Sequence, residues 1–307
     1  MIDVLASGPL TSVQDPFGRP GWRHLGVPTG GAADAWSARL ANRLVGNRDG
    51  SALLEITLGG LELRFEMNAV AGITGGVSGT VGGIPGEVNI GFPVRAGGVI
   101  RIGGGSGARG YLAVAGGIVV EEVLGSASTD LRTGFGGHRG RALRPGDRLS
   151  FGAVGGVASR WTGSASTTGP IRITPGPHAA DVSLDGEWVV GTEADRTGLR
   201  LDGPELEGGE VPSMGLPLGA IQVPPDGRPI VMLADRPVTG GYPVPACVIR
   251  ADIGRMAQLR PGDRLRFASV SVDDARRAWR DAEESLGALE IIESGSDDAL
   301  RWIGSHG

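Results

Sequence analysis

The chain has 307 residues, 29 basic side chains against 34 acidic ones, a formal charge of -5 and 40% hydrophobic residues. That is the profile of an ordinary globular protein, long enough for two average domains or one large one, and it argues against a nucleic-acid partner. All the basic residues are arginine, so this chain cannot supply a Walker A lysine, a Schiff-base amine or a lysine to carry biotin.

Cys247 is the single cysteine and cannot form an intramolecular disulfide. The opening Met1-Ile2-Asp3-Val4 lacks the basic and then apolar pattern of a secretory signal, which predicts a cytoplasmic protein. Gly, Arg or Asp interrupts every apolar stretch before 18 residues, so no membrane span is expected. Glycine is the anomaly: 56 residues, spread without a collagen period, against a usual share of about 7%. Glycine used this way punctuates a chain of tight turns.

From Ala32 to Val45 the residues Ala33, Trp36, Leu40, Leu44 and Val45 fall on one helical face, and Gly46 follows as a stop. The runs Val88–Ile90, Val99–Ile102 and Tyr111–Ala115 read as short strands. Leu143-Arg144-Pro145-Gly146-Asp147-Arg148-Leu149 then predicts a turn before a closing strand: proline presets φ, glycine takes the left-handed position and aspartate caps the turn. Ala158 to Gly169, rich in small polar residues, reads as a linker. Ile171–Ile173 and Pro229–Leu233 are further strands. The turn sequence returns letter for letter at Leu259–Leu265, with a phenylalanine two residues beyond each copy, Phe151 and Phe267. A second helix is expected from about Asp273 to Leu289, with Ala275, Trp279, Ala282 and Leu286 as its apolar stripe.

The expected class is therefore mainly β with few helices. The repeat suggests an N-terminal half over 1–157 with a helix near 32–45, a C-terminal half over 170–292 with a helix near 273–289, and a tail over 293–307. A single fused β-structure with internal pseudo-symmetry is the alternative.

Gly105-Ser106-Gly107-Ala108-Arg109-Gly110 satisfies G-x-G-x-x-G but is followed by a strand pattern, so it reads as a glycine-rich hairpin rather than a dinucleotide loop. No G-x-S-x-G elbow occurs. The histidines at 24, 138, 178 and 306 lack metal-ligand spacing, and no metal site is expected. Three clusters set arginine beside aspartate and glycine: Gln14–Gly21, Glu193–Leu201 and Ala234–Pro243. Arginine clamps carboxylate or phosphate, and glycine lets backbone donors approach a ligand; an Asp–Arg pair that merely organises a loop is the competing reading.

Thr11-Ser12-Val13-Gln14-Asp15 with Gly18-Arg19-Pro20-Gly21, then Ala41–Asn47, Leu54-Glu55, Val123–Ser126, Asp195–Leu201 and Gly219–Pro224 resemble, in consistent order, the biotin-dependent carboxyltransferase family. That family is also called allophanate hydrolase subunit 2 and includes the C component of 5-oxoprolinase. The resemblance implies two tandem β-barrel-like units of cyclophilin-like topology. It also implies a hetero-oligomeric complex with a kinase-inhibitor-like subunit 1 and, for 5-oxoprolinase, with the A component of that enzyme. The leading expectation is a subunit of an ATP-dependent amide or lactam hydrolase that opens 5-oxoproline to glutamate, with ATP used by the complex and its site on a partner. A carboxyltransferase acting on urea or a similar small amide, and a non-catalytic regulatory binding partner of the subunit 1 protein, are the alternatives. No covalent biotin is expected on this chain.

For this reading Arg19, Arg236 and Tyr242 are the expected substrate donors, with Gln14, Asp15 and Gln222 orienting the amide. No nucleophile is assigned to Ser126, Ser128 or Ser213. The chain departs from the family pattern at Ala127, Met214, Pro237 and Val238, where family members often carry an arginine, a carboxylate and a Gln-Thr pair.

Overall fold

The two identical turns fold identically. Gly146 and Gly262 take φ of 91° and 90°, in the left-handed region that favours glycine. The Asp147 and Asp263 carboxylates each accept a 2.8 Å bond from the N–H three residues earlier, of Arg144 and Arg260. Each turn then grips a strand: the N–H groups of Gly146 and Val4 exchange bonds with Val4 and Asp147, and those of Gly262 and Val190 with Val190 and Asp263. The duplicated sequence is thus a duplicated β-clasp, and the aspartate caps its turn.

The computed structural model describes residues 1–86, 88–152, 157–164, 168–180 and 182–292; the tail read over 293–307 lies outside them. The chain divides into two compact units, the first comprising Met1–Arg19, Asp34–Ser164 and Leu286–Gly307, the second Pro20–Ala33 and Ala165–Ser285. The fold is mainly β, as the glycine-punctuated runs predict.

The first unit holds two antiparallel seven-stranded sheets. One runs in the order Ile118–Val119, Arg148–Phe151, Ile2–Ser7, Leu61–Phe65, Val99–Gly103, Ser78–Val81, Ile84–Gly86. The other runs Leu10–Gln14, Leu53–Thr57, Arg109–Val114, Ala69–Gly75, Ile90–Val94, Ser159–Trp161, Leu289–Ile291. Alternating residues of both sheets, among them Ile2, Leu63, Phe65, Leu54, Leu112 and Phe92, fill one core. Ser159–Trp161, inside the stretch read as a linker, is a strand because Leu289–Ile291 pairs with it. The glycine-rich segment before Arg109 leads into the strand Arg109–Val114, as the hairpin reading expects.

Helix α1 (Ala35–Leu44) starts on Asp34, whose carboxylate accepts from the Ser37 N–H at 3.0 Å and the Ser37 hydroxyl at 2.7 Å. Leu40 and Leu44 are fully buried with Leu286, and burying a leucine contributes about 1.5–3 kcal/mol. On its other side Arg39 and Arg43 close on Asp49, and Asn42 ties the carbonyls of Asp49 and Ser51.

The second unit is built on an eight-stranded sheet ordered Arg264–Leu265, Trp188–Ala194, Gly198–Asp202, Ile230–Met232, Ala220–Gln222, Ala246–Val248, Ile171–Pro175, Phe267–Ser269. All pairs are antiparallel except the last, which is parallel. The first and last strands are separated in the chain by Arg266 alone, so one covalent link joins the sheet's two edges and the sheet is nearly closed, barrel-like, around Trp188, Val190, Leu201, Ile221 and Leu233. A short ribbon pairs Met214–Gly215 with Thr239–Gly240. Helix α2 (Ile253–Gln258) follows a 3-10 turn at Arg250–Asp252, and α3 (Val272–Ser285) is capped by Ser271, whose hydroxyl accepts the Asp274 N–H at 3.1 Å. Trp279 of α3 carries the Arg250 guanidinium 4.0 Å above its ring. Leu286, expected on this helix's stripe, lies beyond its end.

Candidate functional site

Of the six residues expected to bind substrate, Gln14, Asp15 and Arg19 belong to the first unit and Gln222, Arg236 and Tyr242 to the second. In the first unit the strand Leu10–Gln14 delivers the chain into a turn organised by Asp15. One oxygen of its carboxylate accepts the N–H groups of Phe17 and Gly18 at 3.0 and 2.6 Å; the other takes the Ser126 hydroxyl, the Ala127 N–H at 2.9 Å and the Ser128 hydroxyl at 3.0 Å. Asp15 is therefore a hub joining two loops, and it does not pair with Arg19. The fully buried Arg19 donates to the Ser128 carbonyl and stacks 4.7 Å over the Phe135 ring. Gln14 donates to Ser12 and to the Thr129 carbonyl at 3.0 and 3.2 Å, while its buried Oε1 has no hydrogen-bond partner.

Behind this turn the first unit holds a second buried polar group. The Tyr111 hydroxyl donates to Glu55 at 3.0 Å and accepts the Asp34 N–H at 2.8 Å. Burial, together with the neighbouring Glu55 and Asp34 charges, holds its phenol well above the ordinary range. It ties the start of α1 to the sheet.

In the second unit the arginines of the Asp–Arg clusters part company. Arg196 does not pair with its neighbour Asp195, whose carboxylate instead accepts the N–H groups of Thr197 and Gly198. It closes on Asp235 at 2.8 and 2.9 Å and donates to the Gly31 carbonyl at 2.6 Å, a structural clamp. Arg236, only 8% exposed, donates to the carbonyls of Leu216 at 3.1 Å and Leu233 at 3.4 Å. Arg23 donates to the same Leu216 carbonyl at 2.7 Å and to Val238 at 2.8 Å. Two guanidinium groups thus converge on one carbonyl oxygen. Burial and the charge of Arg23 bring the Arg236 ionisation down to about 10; unit charges about 5 Å apart at an effective dielectric of about 20 repel by roughly 3 kcal/mol. Arg23 was not among the residues singled out from sequence.

Gln222 lies on the strand Ala220–Gln222, buried, its Nε2 without a hydrogen-bond partner. It packs on Gly240, where a Cβ would stand 2.5 Å from that nitrogen and 2.8 Å from Leu216 Cδ1. Tyr242 follows half-buried two residues later. The departures at Met214 and Val238 fall on or beside the ribbon: Met214 pairs with Gly240, and the Val238 carbonyl serves Arg23. Ala127, the departure in the first unit, is buried in its core, and its N–H serves Asp15.

Among the described residues no group of three or more His, Cys, Asp or Glu side chains is arranged to hold a metal ion, and no helix is long and apolar enough to cross a membrane. The chain has no lysine, and its glycine-rich segment opens a strand rather than a helix, so its residues do not fit a phosphate-binding loop for ATP or a biotin attachment site.

Comparison with known proteins agrees with this architecture. Residues 25–269 match the family model described as the carboxyltransferase domain, subdomain A and B. The chain is 37% identical to the C component of 5-oxoprolinase from Escherichia coli (strain K12), over 94% of this chain and 97% of that one. The crystal structure of the K. lactis urea amidolyase superposes with a TM-score of 0.85 at 32% identity, covering 97% of this chain and 20% of that one. The crystal structure of TTHA0988 superposes with a TM-score of 0.81 at 40% identity, covering 87% of this chain; the match spans about half, 55%, of that longer chain. The duplicated clasp, the nearly closed sheet and these matches place the chain in the carboxyltransferase domain family, subdomains A and B, together with the C component of 5-oxoprolinase.

Proposed function

We propose that this chain is part of an ATP-dependent lactam hydrolase that opens 5-oxoproline to glutamate in complex with a kinase-inhibitor-like subunit 1 protein and the A component of 5-oxoprolinase. The observation that carries the reading is the end-to-end match to the C component of that enzyme, 97% of that protein's length, against a fifth of the urea amidolyase. In the reaction ATP transfers its γ-phosphoryl group to the lactam carbonyl oxygen and leaves as ADP, water adds at that carbon, the lactam C–N bond breaks with the ring nitrogen leaving as the amine, and phosphate is released as the new carboxylate forms. With neither a phosphate loop nor a lysine here, the ATP site is assigned to a partner.

The contribution of this chain is then binding and orientation. Arg236, Gln222 and Tyr242, all in the second unit, supply the donors. In the first unit Asp15 and Arg19 are already engaged with the 126–128 segment, and Gln14 is held by Ser12 and the Thr129 carbonyl. The 32% identity to the urea amidolyase structure over 97% of this chain supports a second reading, carboxyl transfer to urea or another small amide.

The test is glutamate release from 5-oxoproline by the complex of this chain with its subunit 1 and A-component partners, with and without ATP, beside an Arg236→Ala control. ATP-dependent glutamate that falls at least about a hundredfold in the control, in line with loss of a charged donor to a buried substrate, supports the reading. An assembled complex that leaves 5-oxoproline intact overturns it in favour of another amide.

A further inference from the structure

The arginines that brace this fold are matched to carboxylates: Arg39 and Arg43 to Asp49, Arg141 to Asp147, Arg172 to Asp252, Arg196 to Asp235. Arg23 and Arg236 are held differently. They share the Leu216 carbonyl, their other acceptors are the carbonyls of Val238 and Leu233, and no carboxylate among the described residues pairs with either. Arg23 Nη1 is buried without a hydrogen-bond partner. Of the segments that carry these contacts, 20–33 and 211–225 contain no aspartate or glutamate, and the one acidic residue of 233–251, Asp235, is taken by Arg196. Arg236 is buried and Arg23 half-buried, and like charges brought together with that little water repel, a cost that an anion bound between them offsets.

We infer that Arg23 and Arg236 form a clamp for a small carboxylate anion, and that the Gln222 amide beside the same ribbon takes the carbonyl of the same molecule. The ribbon supplies the link. Leu216 and Val238 adjoin its two strands and carry the carbonyls that hold the arginines, while Gly240 within it lies against both Leu216 and the unpartnered Nε2 of Gln222. Two guanidinium donors beside an amide donor suit a small lactam or amide that bears its own carboxylate, as 5-oxoproline does. Urea, which has no negative charge, leaves the clamp unneutralised. The assignment rests on the proposed lactam chemistry for the identity of the ligand, but not for the existence of the anion site.

Equilibrium binding, read by calorimetry or ligand-observed NMR in a buffer low in competing anions, tests it with 5-oxoproline, 2-pyrrolidinone and acetate, on the full chain and on its complex. The expected result is 5-oxoproline binding at least about tenfold tighter than the neutral 2-pyrrolidinone, with Arg23→Gln and Arg236→Gln each removing that advantage and Arg23→Lys retaining part of it. Thermal melts identify variants that fail to fold. For those, phenylglyoxal modification of the unaltered protein replaces the variant, with 5-oxoproline expected to protect Arg23. Equal affinity for the two lactams, undiminished 5-oxoproline binding in folded variants, or no carboxylate binding by chain or complex overturns the clamp. Carboxylate binding that depends on both arginines, in a complex that yields no glutamate, upholds the clamp and sinks the hydrolase reading. Glutamate formation with an unchanged KM in Arg23→Gln does the reverse.

Discussion

Asp147 and Asp263 cap the same turn in two copies, yet they live in different surroundings. Asp147 is 8% exposed and takes a two-pronged bond from Arg141 at 2.7 and 2.8 Å, with His138 Nε2 3.4 Å away. Asp263 is 33% exposed, and its ion-pair contact, Arg260, stands 3.9 Å off.

The two copies therefore respond unequally to the same change. Asp147→Asn is expected to destabilise the protein by about 2–4 kcal/mol, because it removes a mostly buried, charge-assisted partner. Asp263→Asn is expected to cost under about 1 kcal/mol, the value of an exposed pair. Urea midpoints of the two variants, read with circular dichroism, check the ranking.

Acid should expose the same asymmetry. The hydrogen bonds from Arg141, opposed by burial and helped by the Arg144 N–H, hold the Asp147 carboxyl well below the usual carboxylate range in the folded chain. A depressed folded pKa gives stability that is full above the unfolded value near 3.9 and is lost as pH falls through the lower folded one. Wild type should lose stability more steeply than Asp147→Asn from about pH 5 downward, and the two curves should converge at the acid end. Parallel curves in urea titrations between those limits would contradict the assignment.

Arg196 and Asp235 close a clamp across thirty-nine positions of chain. Arg196→Met leaves Asp235 and the Gly31 carbonyl without their donor and should cost about 3 kcal/mol, with part recovered when Asp235→Asn is added. A double-mutant cycle reads the coupling. Values that simply add would mean that the two residues act independently.

Gly240→Ala places a methyl where Gln222 and Leu216 already stand. The expected outcome is a stability loss of about 1–3 kcal/mol from overpacking and a displaced Gln222 amide. On the proposed lactam chemistry, with the ribbon orienting substrate, KM for 5-oxoproline in the assembled complex should rise more than kcat falls. A steady-state comparison with wild type settles it.

The elements legible in the sequence were those with local causes. The stripe Trp36, Leu40, Leu44 and the stop at Gly46 announce α1, and the proline, glycine and aspartate of the repeated turn announce the clasp. Helix α2, six residues long, repeats no stripe. Of the candidate site, Arg236 stands out in a cluster of arginine, aspartate and glycine and Gln222 through the family resemblance, but partner choice does not. Asp195 adjoins Arg196 in sequence yet spends its carboxylate on its own turn, while Asp15 and Arg19 serve the 126–128 segment separately. Arg23 is tied to Leu216 across 193 positions. Its one local sign was the lack of any acidic residue from 16 to 33.

The division of the chain has a consequence for anyone who would take it apart. Its path enters the second unit at Pro20, leaves after Ala33, enters again at Ala165 and leaves after Ser285. No single cut yields either half intact: a fragment begun at Ala165 lacks Gly31, the acceptor for Arg196, and lacks Arg23 altogether. Recombination between relatives meets the same obstacle, since one crossover joins the eight-stranded sheet of one parent to the 20–33 segment of another. A chimera is therefore expected to fold best where both stretches of the second unit come from the same parent.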